Sequence, residues 1–261
     1  MRPPEASSPG SIAAVTATFY LGWRQSWIII SIVLVVLVLP AVHWLLKVDR
    51  TPMSAQAPGE FANAEPGQRQ WTVAEMVRDR MFYLLLPGVI APAFAITGVF
   101  FHQAHLATVK GWSLAWIAAN YPVYAVFTVG AAMGAGWAVD RWSAKRLLIY
   151  YQPTLVAGLV ILAWWDTTLA VPVFMAAAGI TAGAGNTIVS ALWAEIYGVR
   201  HLGAIRSLLF AGAVAATALA PGLMGWGIDE GIGIESQFIA IAAYILVGIG
   251  LFFVARRQLK D

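Results

Sequence analysis

The sequence predicts an all-α integral membrane protein that crosses the bilayer about seven times. Of its 261 residues, 60% are hydrophobic and 11% are charged, whereas a soluble domain usually has about 45–50% apolar and about 25% charged residues. The apolar residues are gathered into runs of about 20, the length of helix that crosses about 30 Å of hydrocarbon. These runs lack the alternation of apolar and polar residues that is typical of membrane strands, so helices are expected.

The apolar runs divide the chain into a tail, a lone span, a linker and a group of six spans. We expect residues 1–22 to form an amino-terminal tail or the remnant of a preceding helix, and residues 23–46 to form the first transmembrane helix. Residues 47–80 are expected to be a cytoplasmic linker, and residues 81–261 a six-helix bundle. Within that bundle the apolar runs cover residues 81–101, 114–139, 147–165, 169–192, 204–228 and 238–255.

The linker is expected to carry one short helix at its end. Its prolines and glycines favour turns over regular structure. Thr72 is followed three residues later by Glu75, the spacing of a capping box, in which each side chain satisfies a backbone amide at the start of the helix. We therefore expect a helix that begins at Thr72 and runs into the second span.

The lysines and arginines predict the orientation, because positive loops are retained in the cytoplasm. If Arg50 is cytoplasmic, 13 of the 16 lysines and arginines lie on that side, and only Arg2, Arg24 and Lys110 lie opposite. The sequence therefore predicts a protein of the plasma (inner) membrane with its amino end outside and its carboxyl end in the cytoplasm.

Composition also argues against several classes of protein. The chain has no cysteine, which excludes a disulfide framework and any cysteine-ligated metal or iron–sulfur centre. Its net charge of +3 comes from basic residues beside the spans, so no nucleic-acid partner is expected. Carboxylates, histidines or an activated serine do not converge within the spans, so neither an enzyme nor a cofactor or metal site is expected.

The turn between the third and fourth spans carries the most informative motif. Gly136 precedes Asp140 and Arg141 by one helical turn, and Lys145 and Arg146 follow. A glycine lets a neighbouring helix approach, and an aspartate at such a turn can pair with basic residues or cap a helix. The simpler interpretation is a cluster of charges that fixes topology.

These five residues resemble the loop signature of the major facilitator superfamily, in the copy between the eighth and ninth of its twelve helices. Three further segments are similar to that superfamily: Gly22-Trp-Arg, the segment from Gly198 to Gly203, and Pro221 and Gly222 with Gly225 and Asp229. The family has glycine and arginine where this chain has Ser143 and Ala144. The resemblance implies that the seven spans are helices six to twelve, the last six forming the carboxyl-terminal bundle.

The resemblance implies a secondary transporter that moves a small organic solute by alternating access, as a symporter or antiporter where an ion gradient drives it. It further implies that Asp140 and Arg141 form gating charge pairs that favour one access state. Glu195, Arg200 and Arg206 are candidate partners for those pairs, and a solvated loop is the alternative for them.

Hydroxyl, aromatic and amide side chains on the spans are the candidates for a solute cavity, although such stripes also pack between helices. Asn186 is the strongest candidate because it is polar and deep in its span. His102 and His105, three residues apart at the outer end of the second span, are candidate proton carriers, since two histidines alone do not make a metal site; the simpler interpretation is a pair of histidines at the membrane interface. The remaining candidates for the cavity are Thr97, Phe101, Tyr121, Tyr124 and Thr128.

The expected partners are the lipid bilayer, a small-molecule solute, and either a missing amino-terminal half or a second copy of the chain. Two alternatives stay open at this point. One is a truncated half-bundle that acts only as an assembly partner. The other is a seven-helix receptor-like protein, suggested by the sequence Asp140-Arg141-Trp142 at the end of the third span.

Overall fold

The computed structural model describes residues 24–25, 28–29, 31–32, 34–46 and 69–258. The chain forms two compact units, residues 1–62 and 63–261. In the first unit, Leu34–Val38 is π-helical and leads into helix α1 (Leu39–Leu46). The side chains from Val35 to His43 are exposed, with Val36 at 59% and Leu37 at 63%. The predicted first span is therefore helical where it is described, and the tail and most of the linker lie outside the described residues.

The second unit is built from helices, and its described residues contain no strand. The helices are α2 (Val73–Arg78), α3 (Arg80–Phe101), α4 (Gln103–Lys110), α5 (Leu114–Ala119), α6 (Tyr121–Trp142), α7 (Ala144–Leu147), α8 (Pro153–Trp164), α9 (Ala170–Tyr197), α10 (Leu202–Asp229) and α11 (Ile234–Gln258).

Five helical segments of the described residues are long and apolar enough to cross a membrane. They are Arg80–Phe101, Leu114–Trp142, Ala170–Tyr197, Leu202–Asp229 and Ile234–Gln258. Each overlaps one of the predicted spans, so the all-α membrane fold is confirmed. These segments are identified by their length and composition alone. They can span a membrane as helices because a helix satisfies its own backbone hydrogen bonds where water is absent.

The run at residues 147–165 forms a shorter helix than the sequence predicted. Its regular part is α8, which has 12 residues and a length of about 18 Å at 1.5 Å per residue. The chain leaves α7 and turns before Pro153, which occupies the first helical position of α8. A proline at that position fits because the amide it lacks would have no helical partner. The apolar run therefore continues through a break that hydrophobicity does not reveal.

The long helices pack in a sequence that leaves a gap between two of them. Helix α9 packs against α6 and α8, α11 packs against α8 and α3, and α3 packs against α10. By contrast, α9 and α10 make only a few contacts with each other. The closest packing is between α9 and α6, where a Cβ atom at Gly179 or Gly183 would collide with the α6 backbone.

The start of α2 has the predicted capping box. The Thr72 hydroxyl accepts a hydrogen bond from the Glu75 amide at 3.3 Å, and the Thr72 amide donates to the Glu75 carboxylate at 2.8 Å. The Thr72 amide and the Arg69 guanidinium hold the pKa of the Glu75 carboxyl at about 2. The helix does not run into the second span as predicted, because Asp79 has extended backbone angles and starts α3 as its N-cap.

Lys110, at the end of α4, ties three elements of the bundle together. Its side chain is only 5% exposed. The ammonium group donates to the Ala163 carbonyl at 2.9 Å and to the Asp166 carboxylate at 2.8 Å, and it lies 3.6 Å from the Glu235 carboxylate. Because a buried ammonium needs several acceptors, this lysine fixes α4 against the ends of α8 and α11.

Candidate functional site

A cavity of about 610 Å³ lies where α9 and α10 make few contacts. Helix α3 forms one wall, α9 a second and α10 a third, and Tyr124 and Tyr151 complete the lining. Its volume is in the range of pockets that enclose a small organic molecule. The cavity therefore offers a solute-sized space between the helices that is open at the surface, since Asn186, Arg206 and Phe210 in its lining are exposed.

Three of the six residues predicted for a cavity line this one. They are Thr97 on α3, Tyr124 on α6 and Asn186 on α9. The structure adds the hydroxyl groups of Ser190 and Ser207, and that of Thr181, which is buried and within hydrogen-bond distance of Thr154 and of the Tyr151 and Ala177 carbonyls. The wall formed by α9 and α10 is thus rich in hydrogen-bonding groups.

The other three predicted residues lie away from the cavity lining. Phe101 is 67% exposed at the end of α3. The Tyr121 hydroxyl donates to the Gln103 side chain at 2.9 Å, which joins α6 to α4. The Thr128 hydroxyl donates to the Tyr124 carbonyl at 2.7 Å. Phe101 is thus at the surface, the Tyr121 hydroxyl joins two helices, and the Thr128 hydroxyl bonds within its own helix.

One side of the cavity rests on a buried polar cluster that follows from a proline. Pro92 has no amide, so the carbonyl of Gly88, one turn earlier, has no helical donor. The side-chain amide of Gln152, which is fully buried, donates to that carbonyl and also to the Tyr151 hydroxyl at 2.8 Å. The break before α8 therefore delivers a donor to the kink in α3.

Trp193 combines burial with an unmet hydrogen bond. It lines the cavity from α9 and is 1% exposed. Its indole N–H has no acceptor among the described residues. Burying such a donor without a partner costs free energy, and because the nitrogen itself is buried, a solute in the cavity does not reach it in this conformation. The burial of this tryptophan depends on the packing of α9.

The predicted gating loop is held by Glu195. This carboxylate accepts hydrogen bonds from the Ser143 hydroxyl at 2.7 Å, the Ala144 amide at 2.7 Å and the Lys145 amide at 3.3 Å. It therefore caps the start of α7 from the neighbouring α9, where a negative charge is favourable. Ser143 has φ +70°, a backbone conformation that glycine adopts more readily.

The charged residues of the loop are at the surface. Asp140, Arg141 and Arg146 are exposed, and the Arg141 guanidinium lies 5.9 Å from the Trp137 ring centre. Among the described residues, neither Asp140 nor Arg141 forms an ion pair. No described atom lies within 4 Å of a Cβ built on Gly136. In this conformation, therefore, the proposed gating residues Asp140 and Arg141 are not paired with an opposite charge among the described residues.

The candidate gate partners have separate positions. Glu195 bonds to the loop, as described above. Arg200 is exposed after α9, and its backbone amide donates to the Gln70 side chain at 3.0 Å. Arg206 on α10 lines the cavity, and its guanidinium donates to the Ser190 carbonyl at 3.2 Å.

The two histidines behave differently. The His102 ring nitrogen Nε2 lies 3.0 Å from the carbonyl oxygen of Pro221 on α10, whereas His105 is half-buried on α4. His102 thus bridges α3 to the proline-containing part of α10. The described residues contain no group of three or more histidines, cysteines and acidic residues that could hold a metal ion.

Comparison with known proteins identifies the family. None of the curated proteins matches the chain. Residues 9–176 match the family described as Major Facilitator Superfamily. The match lies at the start of the chain, so it identifies the family and leaves the assignment to helices six to twelve as a prediction. Because the match covers more than half of the sequence, this integral membrane protein belongs to the Major Facilitator Superfamily of transporters.

Proposed function

We propose that the chain forms the carboxyl-terminal wall of a secondary transporter, helices six to twelve of the family's twelve, and moves a small organic solute by alternating access. The cavity between α3, α9 and α10 carries this proposal. It has the volume for such a solute, and one wall supplies the amide of Asn186 and the hydroxyl of Ser190. A few polar groups in a mainly apolar cavity are the usual means of orienting a small ligand.

A second bundle is part of the proposal. The most apolar stretch of the α5–α6 segment is 6% buried and that of α10 is 22% buried, against 56% for α9. The faces of α6 and α10 are therefore free to contact either lipid or a partner bundle. An amino-terminal half, or a second copy of this chain, would provide the opposite wall of the pathway.

The cytoplasmic loop would act as the gate. In the proposed cycle Asp140 and Arg141 form ion pairs in one access state and are released in the other, since alternating access needs two stable arrangements. Neither residue forms an ion pair with another described residue in this conformation, as expected for the released state. Positive residues at this loop and at the end of α11 support a cytoplasmic location for both.

Coupling to an ion gradient, as symport or antiport, would act through the helices that line the cavity. The contact between His102 and the Pro221 carbonyl supports this part of the proposal, because it joins the end of α3 to α10 and both helices line the cavity.

Solute protection of an introduced thiol tests the function. The chain has no cysteine, so Ser207→Cys on the cavity wall gives a single reactive group, and Ser236→Cys at the exposed start of α11 is its matched control. We expect one class among radiolabelled organic acids, sugars and amino acids to enter proteoliposomes and to slow maleimide labelling at position 207 by about threefold or more. Labelling at position 236 should not change. A panel without uptake or protection would contradict the proposed function.

A further inference from the structure

Residues 69–79 form a strap that lies at the ends of the three helices lining the cavity. The strap consists of a non-helical stretch, the short helix α2 and Asp79, which is the N-cap of α3. The capping box closes the start of α2, and the Arg69 guanidinium pairs with the Glu75 carboxylate at 3.0 Å. The strap is therefore an ordered piece of structure with local hydrogen bonds of its own.

Three hydrogen bonds join the strap to the end of α9. The Trp71 amide donates to the Tyr197 carbonyl at 3.0 Å, and the Tyr197 hydroxyl donates to the Asp79 carboxylate at 2.9 Å. Just beyond α9, the Arg200 amide donates to the Gln70 side chain at 3.0 Å. Both ends of the strap are thus tied to the same short stretch of chain.

A row of aromatic rings continues from the strap into the bundle. The Trp71 ring meets the Tyr197 ring edge to face, with ring centres 5.5 Å apart, and the Tyr197 ring stacks on Trp193 at 5.8 Å. The Trp193 ring lies 6.3 Å from that of Phe82 on α3. Because Trp193 lines the cavity, this row connects the strap to the cavity wall and joins α9 to α3.

The strap also reaches α10. Met76 is fully buried, and it belongs to the same apolar cluster as Tyr197, Ile205 and Leu209. Helix α2 contacts α10, and Leu209 on α10 lines the cavity. Since α9 and α10 make few contacts with each other, the strap links these two helices at this end of the cavity.

Two features allow the strap to move without the helices that it joins. Asp79 has extended backbone angles between α2 and α3, so α2 is not a rigid extension of α3. Helix α2 has only six residues, and a helix of this length depends on tertiary contacts for its stability. A segment of this kind can open locally at a lower cost in free energy than global unfolding.

We propose that the strap closes one end of the cavity and lifts off as a unit to open it. Because the strap contacts α3, α9 and α10 at the same end, its release exposes the wall at Leu209 and lets α9 and α10 separate. The inference goes beyond the proposed function, since it concerns the fold and holds for any solute.

Maleimide labelling of single cysteines in the full chain, held in lipid nanodiscs, tests the inference. Met76→Cys reports opening of the strap, and Leu209→Cys reports exposure of the cavity wall behind it. Val77→Cys, at an exposed neighbouring position, gives the rate for a free thiol. Ala170→Cys, fully buried at the opposite end of α9, gives the rate at which the whole bundle unfolds.

Tyr197→Phe loosens the strap, because it removes the hydrogen bond to Asp79 and keeps the aromatic ring. Tyr121→Phe is the matched control, since it removes a tyrosine hydroxyl that bonds to Gln103 at 2.9 Å outside the strap.

We expect position 76 to be labelled more slowly than position 77 and at least about tenfold faster than position 170. Tyr197→Phe should raise the rates at positions 76 and 209 together, by about tenfold, as expected for loss of a hydrogen bond to a charged group. Tyr121→Phe should leave both rates unchanged. If Tyr197→Phe does not fold, Gln70→Ala, which removes the acceptor of the Arg200 amide, takes its place with the same expectations.

Three results would overturn the inference. Equal rates at positions 76 and 170 would show that the strap opens only when the whole bundle unfolds. A faster rate at position 76 without a change at position 209 would show that the strap does not close the cavity. Unchanged rates at both positions in the loosened variant would show that these hydrogen bonds do not hold the strap. The assay uses no solute, so a chain without uptake would refute the proposed function and leave this test decisive.

Discussion

Ser143 shows how a single residue can be both strained and useful. Its φ of +70° and ψ of 144° lie where residues other than glycine are rare. The family whose loop signature this segment resembles has glycine at this position. The hydroxyl that glycine would lack donates to Glu195 at 2.7 Å. The hydrogen bond therefore offsets part of the backbone strain and joins the loop to α9.

The two contributions at Ser143 can be separated by substitution. Ser143→Ala loses the hydrogen bond and keeps the strain, whereas Ser143→Gly loses the bond and relieves the strain. We expect Ser143→Ala to lower the free energy of unfolding by about 1–3 kcal/mol, as for a hydrogen bond to a charged group, and Ser143→Gly to be about 1–2 kcal/mol more stable than Ser143→Ala.

Thermal unfolding of the purified variants in one detergent, followed by circular dichroism, measures the difference. Ser236→Ala, at an exposed serine outside the loop, should unfold like the parent chain. Equal stability of Ser143→Ala and Ser143→Gly would show that the backbone at this position is not strained in solution.

The sequence predicted those polar residues of the cavity that stand out in an otherwise apolar span, such as Asn186. It could not predict Trp193 or Gln152, because their importance comes from burial and from a carbonyl left without a donor on another helix. Arg206 was recognised as a charge near the cytoplasmic end of its span. Its hydrogen bond to the Ser190 carbonyl on α9 could not be predicted, because spacing along one helix contains no such information.

At the scale of a helix, Gly183 determines how closely α9 approaches α6. A Cβ atom at this position would overlap the backbone carbonyl of Thr128. Alanine is the better helix former by about 1 kcal/mol, but here the added methyl group must push two helices apart. We therefore expect Gly183→Ala to destabilise the bundle by about 1–3 kcal/mol, the range measured for overpacked cores.

Gly212→Ala is the matched control for that prediction. Gly212 lies within α10, and no described atom is within 4 Å of a Cβ built there, so alanine should leave stability unchanged or increase it slightly. Chemical or thermal unfolding of both variants in the same detergent gives the comparison. Similar stability of the two variants would mean that α9 and α6 are less tightly packed than the structure indicates.

Hydrophobic run length predicted the long helices well because each must enclose its own hydrogen bonds in lipid. It failed at residues 147–165 because apolar composition is the same on both sides of the turn before Pro153. Pro87 and Pro92 remain inside α3, where the freed carbonyl of Gly88 has Gln152 as a donor. Whether a proline bends a helix or ends it thus depends on partners from other helices.

Within the unit formed by residues 63–261, some helices are tightly packed and others are largely exposed. The interfaces of α9 with α6 and α8 and of α3 with α11 are closely packed, while the exposed faces of α6 and α10 flank the cavity region. A cycle of alternating access requires that these exposed faces meet a second surface, and the loop at Asp140 lies at the end of the exposed helix α6.

Asp140→Asn tests whether this loop controls access. If Asp140 forms an ion pair in the other access state, its neutralisation should favour the conformation described here, in which it is unpaired. An exposed ion pair contributes about 0.2–1 kcal/mol, so the rate at which maleimide labels Ser207→Cys should change by about 1.5-fold to fivefold.

Asp229→Asn, which neutralises an exposed acid at the opposite end of α10, should leave that rate unchanged, and labelling of Ser236→Cys should be the same in all backgrounds. An identical rate at position 207 with Asp140 and with asparagine would mean that the loop charges serve topology and stability alone, and the gating proposal would then have to be abandoned while the cavity retained its proposed role.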